Sequence, residues 1–362
     1  MADIIALGCG LVGNFVVTKL TQLGLNVHVV DLTVPQDVKS NPSVTYQEGD
    51  IFQLLNEMPN SSIVLNLLPG SIGERIRPLL ISMNKDIIDL AFTETEPTIH
   101  NQLAIEHEST LIWDVGIAPG LSNMIIRKEY ERDSNITDIS IKVGGNPSSP
   151  DENWSYMAPF SPSDVIEEYT RPARIIADSK IESVDALTDL HQINVTGFGT
   201  MEAFLTDGLR SLLNSKMSPN MREYTVRWPG HIQKWQAEKD ILSNEELIDA
   251  WKFDINNQEF TWMEIKFCYD NYSIVWEISD NGKDGFSSMA RTTGLVTIAC
   301  AMDLFNSSKL NQNTYKSGVF APEDLPLESI EHVIEFIKSE GVAIKRDLIE
   351  EVRHTLDTPF QE

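Results

Sequence analysis

Short apolar blocks and amphipathic stretches take turns along the first third of the chain. Ile4-Ile5-Ala6-Leu7 is apolar at every position and reads as a strand buried on both faces, and residues 14–23 space their apolar side chains for one side of a helix. Further short runs at 26–30, 62–67, 86–90 and 111–114 read as strands with helical stretches between them. That alternation predicts an α/β fold built on a parallel, doubly wound sheet over residues 1–120. Turns fall at Pro69-Gly70 and Pro119-Gly120. From residue 121 the texture changes. Residues 139–143 and 260–269 alternate polar and apolar positions, as half-buried antiparallel strands do, which predicts a second, mixed α/β (α+β) domain over 121–286. Residues 147–162 form a loop rich in Pro, Ser and Asn that carries Trp154, Tyr156 and Phe160. At about 287 a helical pattern returns. No charged residue follows Arg291 as far as Met302, so this helix is expected to be buried, with the chain from 287 to 362 returning to the first domain. Near the end, Ile330, Val333, Ile334 and Ile337 are spaced for the apolar face of a surface helix.

Between the first strand and the first helix stands Gly8-Cys9-Gly10-Leu11-Val12-Gly13, and the second strand ends in Asp31, eighteen residues past Gly13. Strand, G-x-G-x-x-G, helix and a distal acid together form the dinucleotide-binding context of a Rossmann-type domain. Gly8 permits the tight turn, Gly10 lets the backbone approach a pyrophosphate, and Gly13 lets the helix pack closely on the strand. The helix start at Leu11 and Val12 offers free N–H groups to the phosphates. Asp31 is expected to accept hydrogen bonds from the adenosine ribose and to repel a 2′-phosphate, so NAD is expected over NADP. The segments Gly49-Asp50-Ile51 and Leu68-Pro69-Gly70 end at the same edge, and Asp50, Ile51, Leu68, Pro69 and Gly70 are candidate cofactor contacts.

The 362 residues are enough for two domains, and 41% hydrophobic content is enough to give each a core. The formal net charge is −26, with 54 acidic and 28 basic residues, which argues against nucleic acid or an anionic membrane as partner. The three cysteines, Cys9, Cys268 and Cys300, are widely spaced and suggest neither a disulfide framework nor a zinc site, so a reducing cytoplasm is expected. The start lacks the basic segment of a signal peptide, and no apolar run is long enough to span a membrane.

Candidate chemistry lies beyond the strand ends and in the second domain. Asp89, Glu94 and Asp114 follow two of the parallel strands. In so acidic a chain the arginines stand out, because arginine grips a carboxylate with two parallel hydrogen bonds. Arg171 and Arg227 are candidates for that task. Arg227 belongs to Arg227-Trp228-Pro229-Gly230-His231, where His231 is a candidate general base or hydrogen-bond donor. His28 lies in a strand and reads as structural, and the other histidines form no ligand-spaced cluster, so no metal is expected.

Several segments together resemble a known family. Ile117-Ala118-Pro119-Gly120-Leu121-Ser122-Asn123, Val143-Gly144-Gly145-Asn146-Pro147, Phe160-Ser161-Pro162-Ser163-Asp164, Arg227-Trp228-Pro229-Gly230-His231 and Ser288-Met289-Ala290-Arg291-Thr292-Thr293-Gly294 are similar, in this order, to the saccharopine dehydrogenase (reductase) superfamily. Ile166-Glu167-Glu168-Tyr169-Thr170-Arg171-Pro172-Ala173-Arg174 and Glu202-Ala203-Phe204-Leu205-Thr206-Asp207-Gly208-Leu209-Arg210 resemble its lysine 6-dehydrogenase branch. Relatives that bind saccharopine carry Asp where Ala118 stands and Cys-Gly-Gly where Val143-Gly144-Gly145 stands. That departure suits a smaller diamino acid.

The resemblance implies a Rossmann domain, a substrate and dimerisation domain, a homodimer and no metal. It implies an NAD-dependent oxidation of the lysine Cε–N bond to an imine, which water converts to ammonia and a semialdehyde that cyclises to a piperideine carboxylate. The ε-ammonium has a solution pKa of about 10.4, so a base must take its proton before hydride leaves. Asp114, Glu94, Asp89 and His231 are the candidates. Arg227 is the first choice for the α-carboxylate, and Asp207 or Glu202 for the α-ammonium. Saccharopine or carboxynorspermidine dehydrogenase activity and a non-catalytic NAD sensor are the alternatives. A short-chain dehydrogenase is excluded, because no tyrosine has lysine four residues later.

Overall fold

The computed structural model describes residues 2–61, 63–309 and 315–350. Residue 62, the first of one expected strand, and residues 351–362, the end of the segment expected to return to the first domain, lie outside the described residues. The five expected strands of the first domain form at Ile4–Leu7, Val27–Asp31, Ile63–Asn66, Asp86–Asp89 and Thr110–Trp113. Val44–Glu48 and Gly318–Phe320 extend the same sheet at its two edges. Its order is Gly318–Phe320, Thr110–Trp113, Asp86–Asp89, Ile63–Asn66, Ile4–Leu7, Val27–Asp31, Val44–Glu48, and every pairing is parallel. The chain moves outward from Ile4–Leu7 in one direction and then doubles back, so the switch point lies between Ile4–Leu7 and Ile63–Asn66.

The unbroken apolar run of the first strand follows from burial on both faces. Ile4 and Ala6 join one core cluster while Ile5 and Leu7 join another, and all four are fully buried. Each such Ile or Leu contributes about 1.5–3 kcal/mol of hydrophobic stabilisation. The helix Leu11–Gln22 turns Phe15, Val16, Val17 and Leu20 inward. The expected buried helix is Ser288–Lys309, and it packs across Leu11–Gln22 so closely that a Cβ on Gly294 would lie 2.6 Å from the Phe15 ring. Helix Leu327–Ser339 buries Ile330, Val333, Ile334 and Ile337, the four residues whose spacing predicted that face.

The second sheet is mixed. Its order is His191–Val195, Gly199–Leu205, Met221–Arg227, Asp138–Pro147, Glu259–Cys268, Tyr272–Asp280, Ala343–Glu350, with the hairpin Ala173–Ala177 and Lys180–Val184 attached to Met221–Arg227. Met221–Arg227 runs parallel to Asp138–Pro147, and its other neighbours are antiparallel. One sequence expectation is corrected here. The chain after 287 does not all return to the first domain, because Ala343–Glu350 crosses back and pairs with Tyr272–Asp280. That pairing satisfies a row of backbone groups that an edge strand would leave open. It also brings the Arg346 fork onto the buried Glu129 carboxylate, with Nε and Nη2 each 2.9 Å from an oxygen. Among the described residues, no helix is long and apolar enough to cross a membrane.

Candidate functional site

The carboxyl ends of the parallel strands face the second sheet across a cleft that holds a cavity of about 950 Å³. The glycine turn forms one wall. Gly8 has a φ of +98°, and a Cβ there would lie 2.8 Å from the Leu67 carbonyl oxygen. A Cβ on Gly13 would lie 2.4 Å from the Gly8 carbonyl oxygen, so the helix can sit this close only on glycine. Gly10 differs, since a Cβ there would meet nothing within 4 Å and would point into open space. Gly10 is the N-cap of Leu11–Gln22, and the N–H groups of that first turn have no partner within the helix. The Asp31 carboxylate accepts the Cys9 N–H and, 3.1 Å away, the Thr33 N–H, which ties the turn to the end of the second strand. Asp50 caps Ile51–Leu54 through the Phe52 N–H at 3.0 Å, and the Arg75 guanidinium lies 4.5 Å from the Phe52 ring centre. Gly8, Gly10, Leu11, Val12, Gly13, Asp31, Asp50, Ile51, Leu68 and Pro69 all line the cavity. These features fit a dinucleotide: a cradle for phosphates at the helix start and an acid at the ribose position.

Gly70 is a correction. It does not line the cavity, and a Cβ there would lie 2.0 Å from the Phe92 carbonyl oxygen. Its smallness seats the helix Gly70–Ser82 against the segment after Asp86–Asp89.

At the far end of the cleft the structure brings together Asp114, Arg171, Asp207 and Arg227. Asp114 has a φ of +53° and accepts the Arg210 Nε–H at 2.8 Å. Asp207 is held by the Arg174 fork, Nε at 2.8 Å and Nη2 at 2.9 Å. Arg171 donates to Glu167 at 3.2 Å. Arg227 is buried, donates Nε–H to the Tyr169 hydroxyl at 2.7 Å and stacks 4.5 Å from the Tyr156 ring centre.

His231, Glu202, Glu94 and Asp89 do not line the cavity. The buried His231 ring bonds the Trp154 carbonyl through Nδ1 at 2.9 Å and the Tyr169 hydroxyl through Nε2 at 3.1 Å. A carbonyl only accepts, so Nδ1 carries the proton and Nε2 receives the tyrosine O–H. Burial, and then the Arg227 charge, push its pKa down to about 3, so the ring is neutral. His231, one of the candidate bases, therefore positions Tyr169 and, through it, Arg227, and lies outside the cavity lining. Glu202 accepts the Gly230 N–H at 3.3 Å, beside the start of helix His231–Glu238. Glu94 is exposed. Asp89 is fully buried and bound by Arg77, Asn66 and the Ala91 N–H, and burial raises its pKa.

The cavity contains acids that the sequence reading missed: Asp164, Glu168 and Glu223. Burial, then neighbouring Glu167, push Asp164 up to about 6. Glu168 accepts the Thr225 hydroxyl and lies 3.8 Å from Arg227 Nη2. Glu223 is 4% exposed, and burial followed by the charges of Glu168, Asp207 and Asp114 pushes its pKa up to about 8. A signal for it exists in the sequence. Counting back by two from Arg227 along a strand reaches Thr225 and then Glu223, which share its face. Among the described residues, no group of three His, Cys, Asp or Glu side chains could hold a metal ion.

The family described as saccharopine dehydrogenase C-terminal domain matches residues 116–342. The chain belongs to the saccharopine dehydrogenase family of oxidoreductases. Relatives in this family and beyond it agree with the architecture. The saccharopine dehydrogenase (L-Glu forming) of Saccharomyces cerevisiae superposes with a TM-score of 0.74 at 16% identity, over 96% of this chain and 100% of that one. The homospermidine synthase of Legionella pneumophila, solved in complex with NAD, superposes with a TM-score of 0.71 at 11% identity, over 100% of this chain and 94% of that one. Both show the fold, a parallel Rossmann-type sheet with a second mixed sheet. In sequence, 150 residues are 24% identical to the alpha-aminoadipic semialdehyde synthase of Arabidopsis thaliana. The match covers 40% of this chain and 14% of that much longer protein.

Proposed function

We propose that this saccharopine dehydrogenase family member is an NAD-dependent amine dehydrogenase of the lysine 6-dehydrogenase type. It takes an amino acid with a second amine and oxidises the carbon that bears it. The observation that carries this reading is the charge layout of the cleft. Beyond the glycine cradle, the carboxyl groups of Glu168, Asp207, Glu223 and Asp114 stand beside the guanidinium groups of Arg227 and Arg171. Such a surface complements a molecule that is cationic at one end and a carboxylate at the other. Saccharopine, with three carboxylates, finds more acids than bases there.

Gly8, Gly10, Gly13 and Asp31 would hold the dinucleotide, with Asp50, Ile51, Leu68 and Pro69 flanking it. When bound, NAD supplies the hydride acceptor. The chain's own residues do the rest. Arg227, held by Tyr169 and His231, presents its guanidinium to the substrate carboxylate. Asp114 remains a base candidate, with one oxygen fixed by Arg210. Water attacks the imine carbon, ammonia leaves, and the aldehyde closes on the α-amine. Asp31 places negative charge where NADP carries its 2′-phosphate, which favours NAD.

Formation of NADH, followed by absorbance, tests the reading with L-lysine, L-ornithine, saccharopine and carboxynorspermidine, and with NADP in parallel. Turnover of lysine with NAD is expected. Turnover of saccharopine alone would overturn the substrate, and NAD binding with no turnover of any amine would favour a sensor. A homodimer in the cytoplasm belongs to the same proposal. Among the described residues, the strand His191–Val195 ends its sheet with one side unpaired, which gives a second copy a place to add. Sedimentation velocity tests the dimer.

A further inference from the structure

Glu223 lies deep in the cleft and is 4% exposed, yet its carboxyl lines the cavity. Its Oε2 has no hydrogen-bond partner among the described residues. Buried polar atoms are almost always paired, so an unpaired oxygen on a carboxyl that lines a cavity points to a ligand group beside that carboxyl. The backbone makes room for this carboxyl at a specific point. A Cβ on Gly208 would lie 1.7 Å from Glu223 Oε1 and 2.0 Å from its carboxyl carbon. Glycine at 208 and glutamate at 223 thus occupy a single volume that no larger pair could share.

The charges around Glu223 come from four elements. Glu168 reaches it from helix Pro162–Thr170, Asp207 from the turn after Gly199–Leu205, and Asp114 from the turn after Thr110–Trp113. Arg210, in the segment Arg210–Asn214, is the opposing cation, and its Nε is already committed to Asp114. Burial and three carboxylates outweigh one shared guanidinium, so the carboxyl holds its proton up to about pH 8 in the free protein.

Resting on the amine dehydrogenase reading, we infer that Glu223 receives the reacting amine of the substrate. The nitrogen arrives as an ammonium, and its charge drives the carboxyl proton into solvent: Glu–COOH and R–NH₃⁺ become Glu–COO⁻ paired with R–NH₃⁺, plus one H⁺. The same carboxylate then takes a proton from the ammonium, giving R–NH₂ and Glu–COOH. The nitrogen now carries the lone pair that pushes hydride off the adjacent carbon. A hydroxyl or carbonyl oxygen in that position would leave the proton where it was. Glu223 is thereby both the selector for an amine and the base that activates it.

The test is calorimetric titration of L-lysine and saccharopine into the protein with NADH present, which permits no oxidation, at pH 7 in buffers of different ionisation enthalpy. L-Norleucine, which lacks the ε-amine, is the control. Lysine is expected to release close to one proton per site, and norleucine none. Glu223→Gln is expected to abolish the release while the protein still melts cooperatively. Gly208→Ala, whose methyl displaces the carboxyl, is expected to do the same without removing an acid. An infrared band of a protonated carboxyl, present at pH 7 and missing in E223Q, is the ligand-free check. Binding of lysine without proton release, or full release by G208A, overturns the inference. Silence toward lysine with proton release on binding saccharopine supports Glu223 and overturns the lysine reading. Failure of both amines to bind overturns both.

Discussion

At the scale of single residues, the side chains that sequence patterns single out and those that form the site overlap only in part. The glycines and Asp31, which line the cavity, were legible because the motif expected to cradle phosphates has a fixed spacing along one continuous turn. Glu168 and Asp164 were not, and Glu223 only through the strand face it shares with Arg227, because their meaning comes from a helix and a strand meeting in space. Histidine misled for the opposite reason. His231 sits in a conspicuous run of residues, but burial and its two hydrogen bonds make it a brace for Tyr169. His231→Phe is expected to cost about 1–3 kcal/mol of stability, read from thermal melting, through the hydrogen bonds it strips from Tyr169 and Trp154. It should raise KM through Arg227, and it should leave the pH profile of kcat unmoved, which loss of a general base would not. Glu223 gives a second expectation at this scale. Its folded pKa, about 8, stands above the usual 4.5, so the folded protein holds a proton that the unfolded chain has lost. The stabilising share of that proton is complete below about pH 4.5 and is lost as pH rises toward 8. E223Q should therefore melt a few degrees above the parent at pH 9 and level with it at pH 4.5.

At the scale of elements, periodicity did most of the predicting. Apolar runs became strands buried on both faces, and the apolar spacing of 330, 333, 334 and 337 became the buried side of a helix. What periodicity does not carry is which sheet a strand joins. Ala343–Glu350 is mostly exposed and half polar, and its place is set by the open edge of Tyr272–Asp280 and by the Arg346–Glu129 fork. Arg346→Ala should lower stability by about 2 kcal/mol in denaturant titration, since Glu129 is buried and loses a charged donor pair. The turn and helix that open the chain make a paired prediction. Gly10→Ala adds a methyl into open space, so melting should be unchanged while NADH affinity, read by fluorescence, falls. Gly13→Ala forces the methyl onto the Gly8 carbonyl, so both melting and affinity should fall.

At the scale of the whole molecule, the cleft exists because two sheets face each other, and neither is made from one stretch of chain. The first sheet takes residues 4–113 and then 318–320, and the second takes 138–280 and then 343–350. The long helix Ser288–Lys309 lies over the first sheet's opening helix. A ribosome delivers these pieces in order. Through the synthesis of some 280 residues, Phe15 and Val16 wait for the helix that will cover them, while the second sheet is built in between. The growing chain thus carries an open apolar surface for many seconds at typical elongation rates of about 5–20 residues per second. A nascent polypeptide with that history is a natural client for chaperones that bind exposed hydrophobic segments near the ribosome exit, and its yield in a host short of them should suffer more than its finished stability would suggest.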